Sequence, residues 1–401
     1  MIVAPTIDEK TDFLRGITFK PTELIDPSDE NAVVCMRTKN IQRDLDQEDL
    51  IAVPRHLVRN EDKFLREGDI LISTANSWEL VGKCTYVPKL PYPATAGGFI
   101  SVVRAKSGTH PRFLYHWLNA PKTQFVLRHL GRQTTNISNL NVQRFKALEF
   151  PSFEYDEQRR IAAILDKADA IRRKREQALA LADDLLKSTF LEMFGDPLLN
   201  SEGFDEAELG ELADIASGLT KGRRLKPATP VRPVPYMRVA NVQDGSLDLT
   251  EVKTIEATDT EIDKFRLLNG DLLLTEGGDP DKLGRGWVWR EELPLSIHQN
   301  HIFRVRLNSD VIDPEILMLQ IGSRRGKVYF LREAKQTTGI ATINKRQLSS
   351  YPALLPPSDL QEKFLELSQA TRMMRSRIEK ALVSADQLFA SLSQRAFRGE
   401  L

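Results

Sequence analysis

The chain has 401 residues, more than one average domain uses and enough for two or three, each able to bury its own core. Hydrophobic residues make up 41% and charged residues 28%, an ordinary soluble composition, and no apolar run approaches the roughly 20 residues of a membrane-spanning helix. The 56 basic and 56 acidic side chains cancel, which argues against a protein held to nucleic acid by bulk charge but leaves room for local basic patches.

In chain order, Met1-Ile2-Val3-Ala4-Pro5 runs at once into Asp8 and Glu9, so no signal peptide is expected and the setting reads as cytoplasmic. Residues 1–153 predict a first mixed domain. Short β-type runs such as Ile70-Leu71-Ile72-Ser73 and Phe99-Ile100-Ser101-Val102-Val103 are separated by Gly, Pro and Asp, and Pro111 opens a helix. Cys35 and Cys84 both fall here and read as buried free thiols. Residues 154–196 form a spacer helix, with no Pro or Gly between Asp156 and Phe194 and a stop at Gly195-Asp196-Pro197. Residues 197–357 predict a second domain on the same plan, in which Asp313-Pro314-Glu315 opens the matching helix. Residues 358–401 form a second spacer helix, free of Pro and Gly from Asp359 to Arg398.

The two halves repeat each other. Met36-Arg37-Thr38-Lys39-Asn40-Ile41-Gln42 returns as Met237-Arg238-Val239-Ala240-Asn241-Val242-Gln243. Gly68-Asp69-Ile70-Leu71 returns as Gly270-Asp271-Leu272-Leu273, and Gln133-Thr134-Thr135 as Gln336-Thr337-Thr338. The displacement, 201 to 203 residues, is far longer than the 20–50 of a solenoid repeat, so the unit repeated is a domain plus a helix. Heptads in the second helix place Phe364, Thr371, Ile378, Ala385 and Leu392 at a, and Leu367, Met374, Ala381, Leu388 and Arg395 at d. Subtracting 203 gives Ile161, Ala168, Arg175, Ala182 and Thr189, then Ile164, Ile171, Ala178, Leu185 and Glu192. The fold class expected is therefore α+β: two globular α/β domains joined by two long antiparallel helices forming a coiled coil, with a pseudo-two-fold internal duplication.

No catalytic signature is found. The chain has no Asn-Pro-Pro-aromatic run, no Walker loop and no cofactor-cradling glycine loop. Asp248, Glu251 and Lys253 imitate a nuclease cluster at cramped spacing and without a copy in the first half. The six histidines lack metal-ligand spacing apart from a turn pair, His298 and His301. The expectation is a binder, with no catalytic residues, no metal and no cofactor.

The order of these motifs resembles the specificity subunits of type I DNA restriction–modification enzymes. The residues that carry the likeness are Leu209-Gly210-Glu211-Leu212-Ala213-Asp214-Ile215-Ala216-Ser217-Gly218, the two Gly-Asp segments, the Gln-Thr-Thr stretches, the Pro-Pro…Gln lead into the second helix and Ala396-Phe397-Arg398-Gly399-Glu400-Leu401. The resemblance implies that each recognition domain reads one half of a bipartite double-stranded DNA site. It also implies that the helices set the gap and dock two methyltransferase subunits, and that restriction subunits join from outside. Two departures stand out: the first half lacks the Leu-Gly opening, beginning near Phe13-Leu14-Arg15-Gly16, and its helix is led by Pro151-Ser152-Phe153. A two-headed protein-binding adaptor is the competing reading.

Duplication also sorts residues. Shared positions cannot distinguish two half-sites and suit the fold, phosphates or partners, whereas positions that differ within matched loops suit base readout. Arg37 with Arg238 and Lys83 with Arg285 are the shared basic pairs, joined by Lys39, Gln133, Thr134, Thr135, Gln336, Thr337 and Thr338 as backbone contacts or turn caps. Arg104 and Arg306 are as well suited to salt bridges. The differing loops supply Thr74, Asn76 and Trp78 against Glu276, Asp279 and Lys282; an Asn amide suits adenine and a carboxylate suits cytosine N4. A basic loop of Lys221, Arg223, Arg224 and Lys226 faces the sparser Lys20, and Lys345 and Arg346 complete the DNA-binding candidates. The run Arg172-Arg173-Lys174-Arg175 reads as a helix surface open to solvent, a partner or DNA.

Overall fold

The computed structural model describes residues 4–130, 132–133, 137–224, 229–279, 283–337 and 340–401, with the backbone alone at 132–133, 335–337 and 340. Thr134, Thr135, Lys226, Lys282 and Thr338 lie outside the described residues. The chain forms two compact units that divide within the long helices: residues up to Glu176 with Glu379–Leu401, and Gln177–Ile378.

In unit 1 the central sheet is antiparallel, in the order Thr11–Arg15, Ile100–Ala105, Ile70–Ser73, Cys84–Tyr86. A second sheet places Ala32–Met36 antiparallel to Ile51–Pro54 and parallel to Ala94–Ala96. In unit 2 the central order is Ala213–Ser217, Ile302–Leu307, Leu272–Thr275, Gly286–Val288, again antiparallel. There Arg232–Met237 lies antiparallel to Lys253–Ala257 and parallel to Ile297–His298. Each central sheet carries a helix pair, Pro111–Asn119 with Pro121–His129 and Pro314–Gly322 with Arg324–Glu333. Both first helices open with Pro at the first turn, where no backbone N–H is needed.

The repeated Gly-Asp motif has a structural cause. Gly68 and Gly270 adopt φ of +92° and +89°, a region a side chain rarely enters. The Asp that follows is buried, 1% exposed in each copy, and takes a bidentate grip from an arginine on the neighbouring strand. Arg104 donates Nε to Asp69 Oδ1 and Nη2 to Oδ2, both at 2.7 Å; Arg306 does the same to Asp271 at 2.7 and 2.8 Å. Asp69 Oδ2 also accepts from Arg66 N at 2.8 Å, and Asp271 Oδ2 from Leu268 N at 2.7 Å. Arg104 and Arg306 therefore hold the fold.

The long helices are Tyr155–Phe194 and Ser358–Ala396. A buried glutamine ties the start of each to its domain. Gln158 Oε1 accepts from His110 N at 2.9 Å while its amide donates to Gly108 O and Phe153 O. Gln361 Oε1 accepts from Asp313 N at 2.9 Å while its amide donates to Val311 O and Pro356 O. The ionic joint beside it has opposite polarity in the two units. Asp166 on the helix receives Arg112 and His116 in unit 1; burial would raise its carboxyl, but these two bonds pull it down to about 2. In unit 2 the carboxylate is Glu315, on the domain, and the helix supplies Arg372 and Ser368.

Within each unit the helical segments run antiparallel. In unit 1 Ile161, Ala162 and Leu165 share a core with Ala396, and Arg172 pairs with Asp386 at 2.6 Å. In unit 2 Phe190 and Phe194 meet Phe364 at 5.7 and 5.3 Å, and Asp183 meets Arg375 at 2.9 Å.

Three expectations change. The a row is buried or half-buried as read, but the second such row is one residue later than the d row assigned: Leu165, Arg172, Leu179, Leu186 and Met193, with Ser368, Arg375, Leu382, Phe389 and Ala396. A fixed a-to-d spacing of three turned Ile171, Leu185, Leu367, Met374 and Leu388 inward, whereas all five are exposed. The N-terminal edge is also more complete than its sequence implies. Ile7–Lys10 is a short helix leading into Thr11–Arg15 as Leu209–Leu212 leads into Ala213–Ser217, and Ile7 N and Leu209 N each donate at 2.9 Å to Leu148 O and Tyr351 O. Lastly, the Arg172–Arg175 run is no free basic face. Arg173 binds Asp169 and Asp44, Arg172 binds Asp386, and Arg175 donates to Ala381 O; only Lys174 is exposed.

Candidate nucleic-acid interface

The repeated Asn-x-Gln turns and the repeated basic residues, far apart in sequence, meet in both units. Asn40 is buried, caps its turn by accepting from Arg37 N at 2.8 Å and donates to Asp46 O at 3.0 Å. Asn241 repeats this with Arg238 N at 3.0 Å and Asp248 O at 2.8 Å. The next residue but one is then held outward: Gln42 donates to Lys39 O and Gln243 to Ala240 O, each at 2.8 Å. Lys83 Nζ donates to Gln42 Oε1 at 2.7 Å, and Arg285 Nη1 to Gln243 Oε1 at 3.2 Å. Each cation follows a glycine at positive φ, Gly82 at +82° and Gly284 at +77°. Each is anchored through its own carbonyl, which accepts from Ser73 N at 2.9 Å or Thr275 N at 3.1 Å. Two matching frames thus hold a half-buried cation beside the loop that differs.

That loop is itself zipped to a small sheet. In unit 1 Ala75–Asn76 pairs with Ser138–Asn139, which pairs with Arg132–Gln133. In unit 2 Gly277–Gly278 pairs with Ile340–Thr342, which pairs with Lys335–Thr337. A Cβ at Gly277 would fall 2.8 Å from Ala341 O, which accounts for the glycine. Gln133, Gln336 and Thr337 lie on these strands. The helices that follow are capped by Asn141 and Asn344, which accept from Arg144 N at 3.1 Å and Gln347 N at 3.0 Å. Lys345 and Arg346 are exposed on the second of them.

The remaining candidates divide by their partners. Thr74 and Asn76 are half-buried; the Asn76 amide donates to Ser73 Oγ at 3.3 Å and its carbonyl accepts from Ser77 N at 2.9 Å. Trp78 is exposed and meets the His129 ring edge-on at 5.8 Å, with Phe125 tilted against that ring at 4.1 Å. Glu276 Oε2 is bound by His301 Nδ1 at 2.6 Å, and Asp279 is exposed. Lys20, Lys221 and Arg224 are exposed. Several of the cations are already engaged. Arg37 donates to Asp49 O at 2.7 Å, Lys39 pairs with the Asp49 carboxylate, and Arg238 pairs with Glu251 at 3.2 Å. Arg223 makes a bidentate pair with Glu261, whose carboxyl is held at about 2 by that arginine. The nuclease-like trio resolves into ordinary contacts: Glu251 pairs with Lys253 and Arg238, and Asp248 accepts from Thr250 N at 2.9 Å. Among the described residues no group of His, Cys, Asp or Glu is placed to hold a metal ion, and no helix is long and apolar enough to cross a membrane.

Two positions beside the differing loop escaped the sequence reading, Phe99 and His301. Thr74 N donates to Phe99 O at 2.9 Å and Glu276 N to His301 O at 3.0 Å, so they are equivalent neighbours of the loop. The signal was the alignment of the two strands, Phe99-Ile100 against His301-Ile302, in which the first residues differ.

Residues 26–181 match the family model of the type I restriction modification DNA specificity domain. The StySPI specificity subunit of Salmonella potsdam is 24% identical over 98% of this chain and 87% of its own length. The EcoKI specificity subunit of Escherichia coli K12 is 24% identical over 100% and 89%. Among solved structures, the type I restriction-modification S subunit of M. genitalium shares the fold, with a TM-score of 0.56 at 14% identity over 98% of this chain and 96% of that one. A type I restriction modification DNA specificity domain is thus matched within residues 26–181, and the chain is similar from end to end to type I restriction enzyme specificity subunits.

Proposed function

We propose that this chain is the non-catalytic, sequence-reading component of a cytoplasmic type I restriction–modification complex. Each unit reads one half of a bipartite double-stranded DNA site, and the paired helices, as an antiparallel coiled coil joining duplicated halves, fix the gap. The observation that carries this reading is the frame found twice, with Gln42–Lys83 and Gln243–Arg285 conserved in geometry while the loops beside them differ. A shared frame suits phosphates, which carry no sequence information, and a varied loop suits bases. A stiff strut is needed because B-DNA presents the same face only about every 10–10.5 base pairs.

The helices also offer docking surface for two methyltransferase subunits, to which restriction subunits add. Ile171, Val383 and Leu388 are exposed in unit 1, as are Leu181, Leu185, Leu367 and Met374 in unit 2, and exposed apolar stripes of this kind mark protein contacts. Thr74, Asn76, Trp78, Glu276 and Asp279 are assigned to bases, and Lys20, Lys221, Arg224, Lys345 and Arg346 to phosphates. Methylome sequencing of a host expressing the chain with its methyltransferase tests the reading: a split motif with a constant gap is expected, and a continuous motif or none rejects it.

Lys83→Ala and Arg285→Ala are each expected to weaken binding of every duplex alike and to lower the slope of log affinity against log salt by about 0.9, one phosphate. Titrations from low to physiological salt measure this. An unchanged slope would leave these cations as supports for Gln42 and Gln243 alone.

A further inference from the structure

We infer that the turn carrying Phe99 in unit 1 and His301 in unit 2 is a specificity position, one that reads a thymine methyl in the first half-site and aims Glu276 at a cytosine in the second. The inference rests on the function proposed above and adds residues to it.

The two turns are built alike. Gly97 N donates to Met36 O at 2.9 Å and Gln299 N to Met237 O at 3.0 Å; Ile100 N closes back on Gly97 O, and Ile302 N on Gln299 O, each at 2.9 Å. Gly16 and Gly218 press on these turns so closely that a Cβ would lie 2.1 Å from Gly97 O and 1.9 Å from His298 O. The backbone of both turns is therefore packed against a glycine that tolerates no Cβ, while their side chains differ, Ala96-Gly97-Gly98-Phe99 against His298-Gln299-Asn300-His301, and Phe99 and His301 are the pair whose carbonyls hold the differing loop.

What varies is chemistry. Phe99 is 67% exposed, a ring held in water by a rigid turn next to the loop of Thr74 and Asn76. An apolar ring in that place gains from a thymine C5-methyl and from no other group in the major groove. His301 is exposed too, but its Nδ1 is 2.6 Å from Glu276 Oε2 and its Nε2 is 3.2 Å from Asn300 Nδ2. A carboxylate so held has an oriented acceptor for cytosine N4. His301 is thus a positioning residue acting through Glu276, whereas Phe99 touches the base itself.

The test uses the full chain assembled with its methyltransferase subunits and duplexes carrying the motif that the wild-type methylome defines. Deoxyuridine replaces each thymine in turn. One substitution in one half-site is expected to weaken wild-type binding about fourfold, the effect of a single buried methyl, and to leave Phe99→Ala unaffected. Phe99→Ala should relax only that half-site, and His301→Ala only the other, lowering preference for cytosine at one position about tenfold. His301→Gln, which can still donate to Glu276, should restore it. Phe99→Leu guards against misfolding, since it keeps an apolar contact and most of the methyl effect. A split motif whose halves ignore uracil and all four substitutions, or a first half-site without thymine, overturns this inference and spares the proposed function. Absence of any split motif overturns both.

Discussion

Asp69→Ala is expected to destabilise unit 1 by about 3–5 kcal/mol, because it removes the carboxylate of a buried ion pair and leaves the Arg104 charge to the Asp62 and Phe64 carbonyls. Arg104 is only 12% exposed, so its guanidinium cannot turn to water, and Arg66 N loses its acceptor as well. The matching change, Asp271→Ala, should cost less, since Arg306 is 34% exposed and solvent can reach it. Hydrogen exchange separates the two effects: amides of Ile70–Ser73 report the first variant and those of Leu272–Thr275 the second. Replacing Asp69 and Arg104 together by apolar residues should recover part of the loss. Equal costs in the two units would show that burial of the arginine is not what sets the penalty.

Phe364→Ala is expected to cost unit 2 about 3–5 kcal/mol, the usual range for emptying a buried aromatic site. The ring is fully buried and meets Phe190 and Phe194 near edge-on, at interplanar angles of 75° and 73°. Those contacts hold the two helical segments together and join them to the core of Leu209, Phe303 and Tyr351. Urea unfolding should show the loss directly, and exchange should quicken along residues 186–194 first. Phe364→Leu, which keeps most of the volume, should lose much less. A cost below about 1 kcal/mol would mean that the segments are held by their ionic and glutamine contacts instead.

Much of this was open to reading because the chain states its plan twice. The Gly-Asp repeats, the Asn-x-Gln turns and the buried glutamines Gln158 and Gln361 each make the same bonds in both units, so their recurrence marked parts that the fold cannot vary. The helices were visible as long stretches without Pro or Gly. Their second buried row was misplaced by one residue, because both neighbouring rows carry apolar side chains and the sequence alone does not say which of them is covered. Basic residues were harder still. Arg223 and Arg173 carry the same charge as Lys221 and Lys174, yet the first two are spent on Glu261 and Asp169 while the others remain exposed.

What the sequence determined by itself was the element plan, because backbone propensity, glycine at forced φ and a twofold-repeated motif are local properties. Only the tertiary structure decided which side chains stand together. Lys83 reaches Gln42 across 41 positions, and Phe99 and His301 come beside loops 25 residues away through strand pairing. Such neighbours are chosen by sheet order and burial, long-range terms that no single segment of the chain contains.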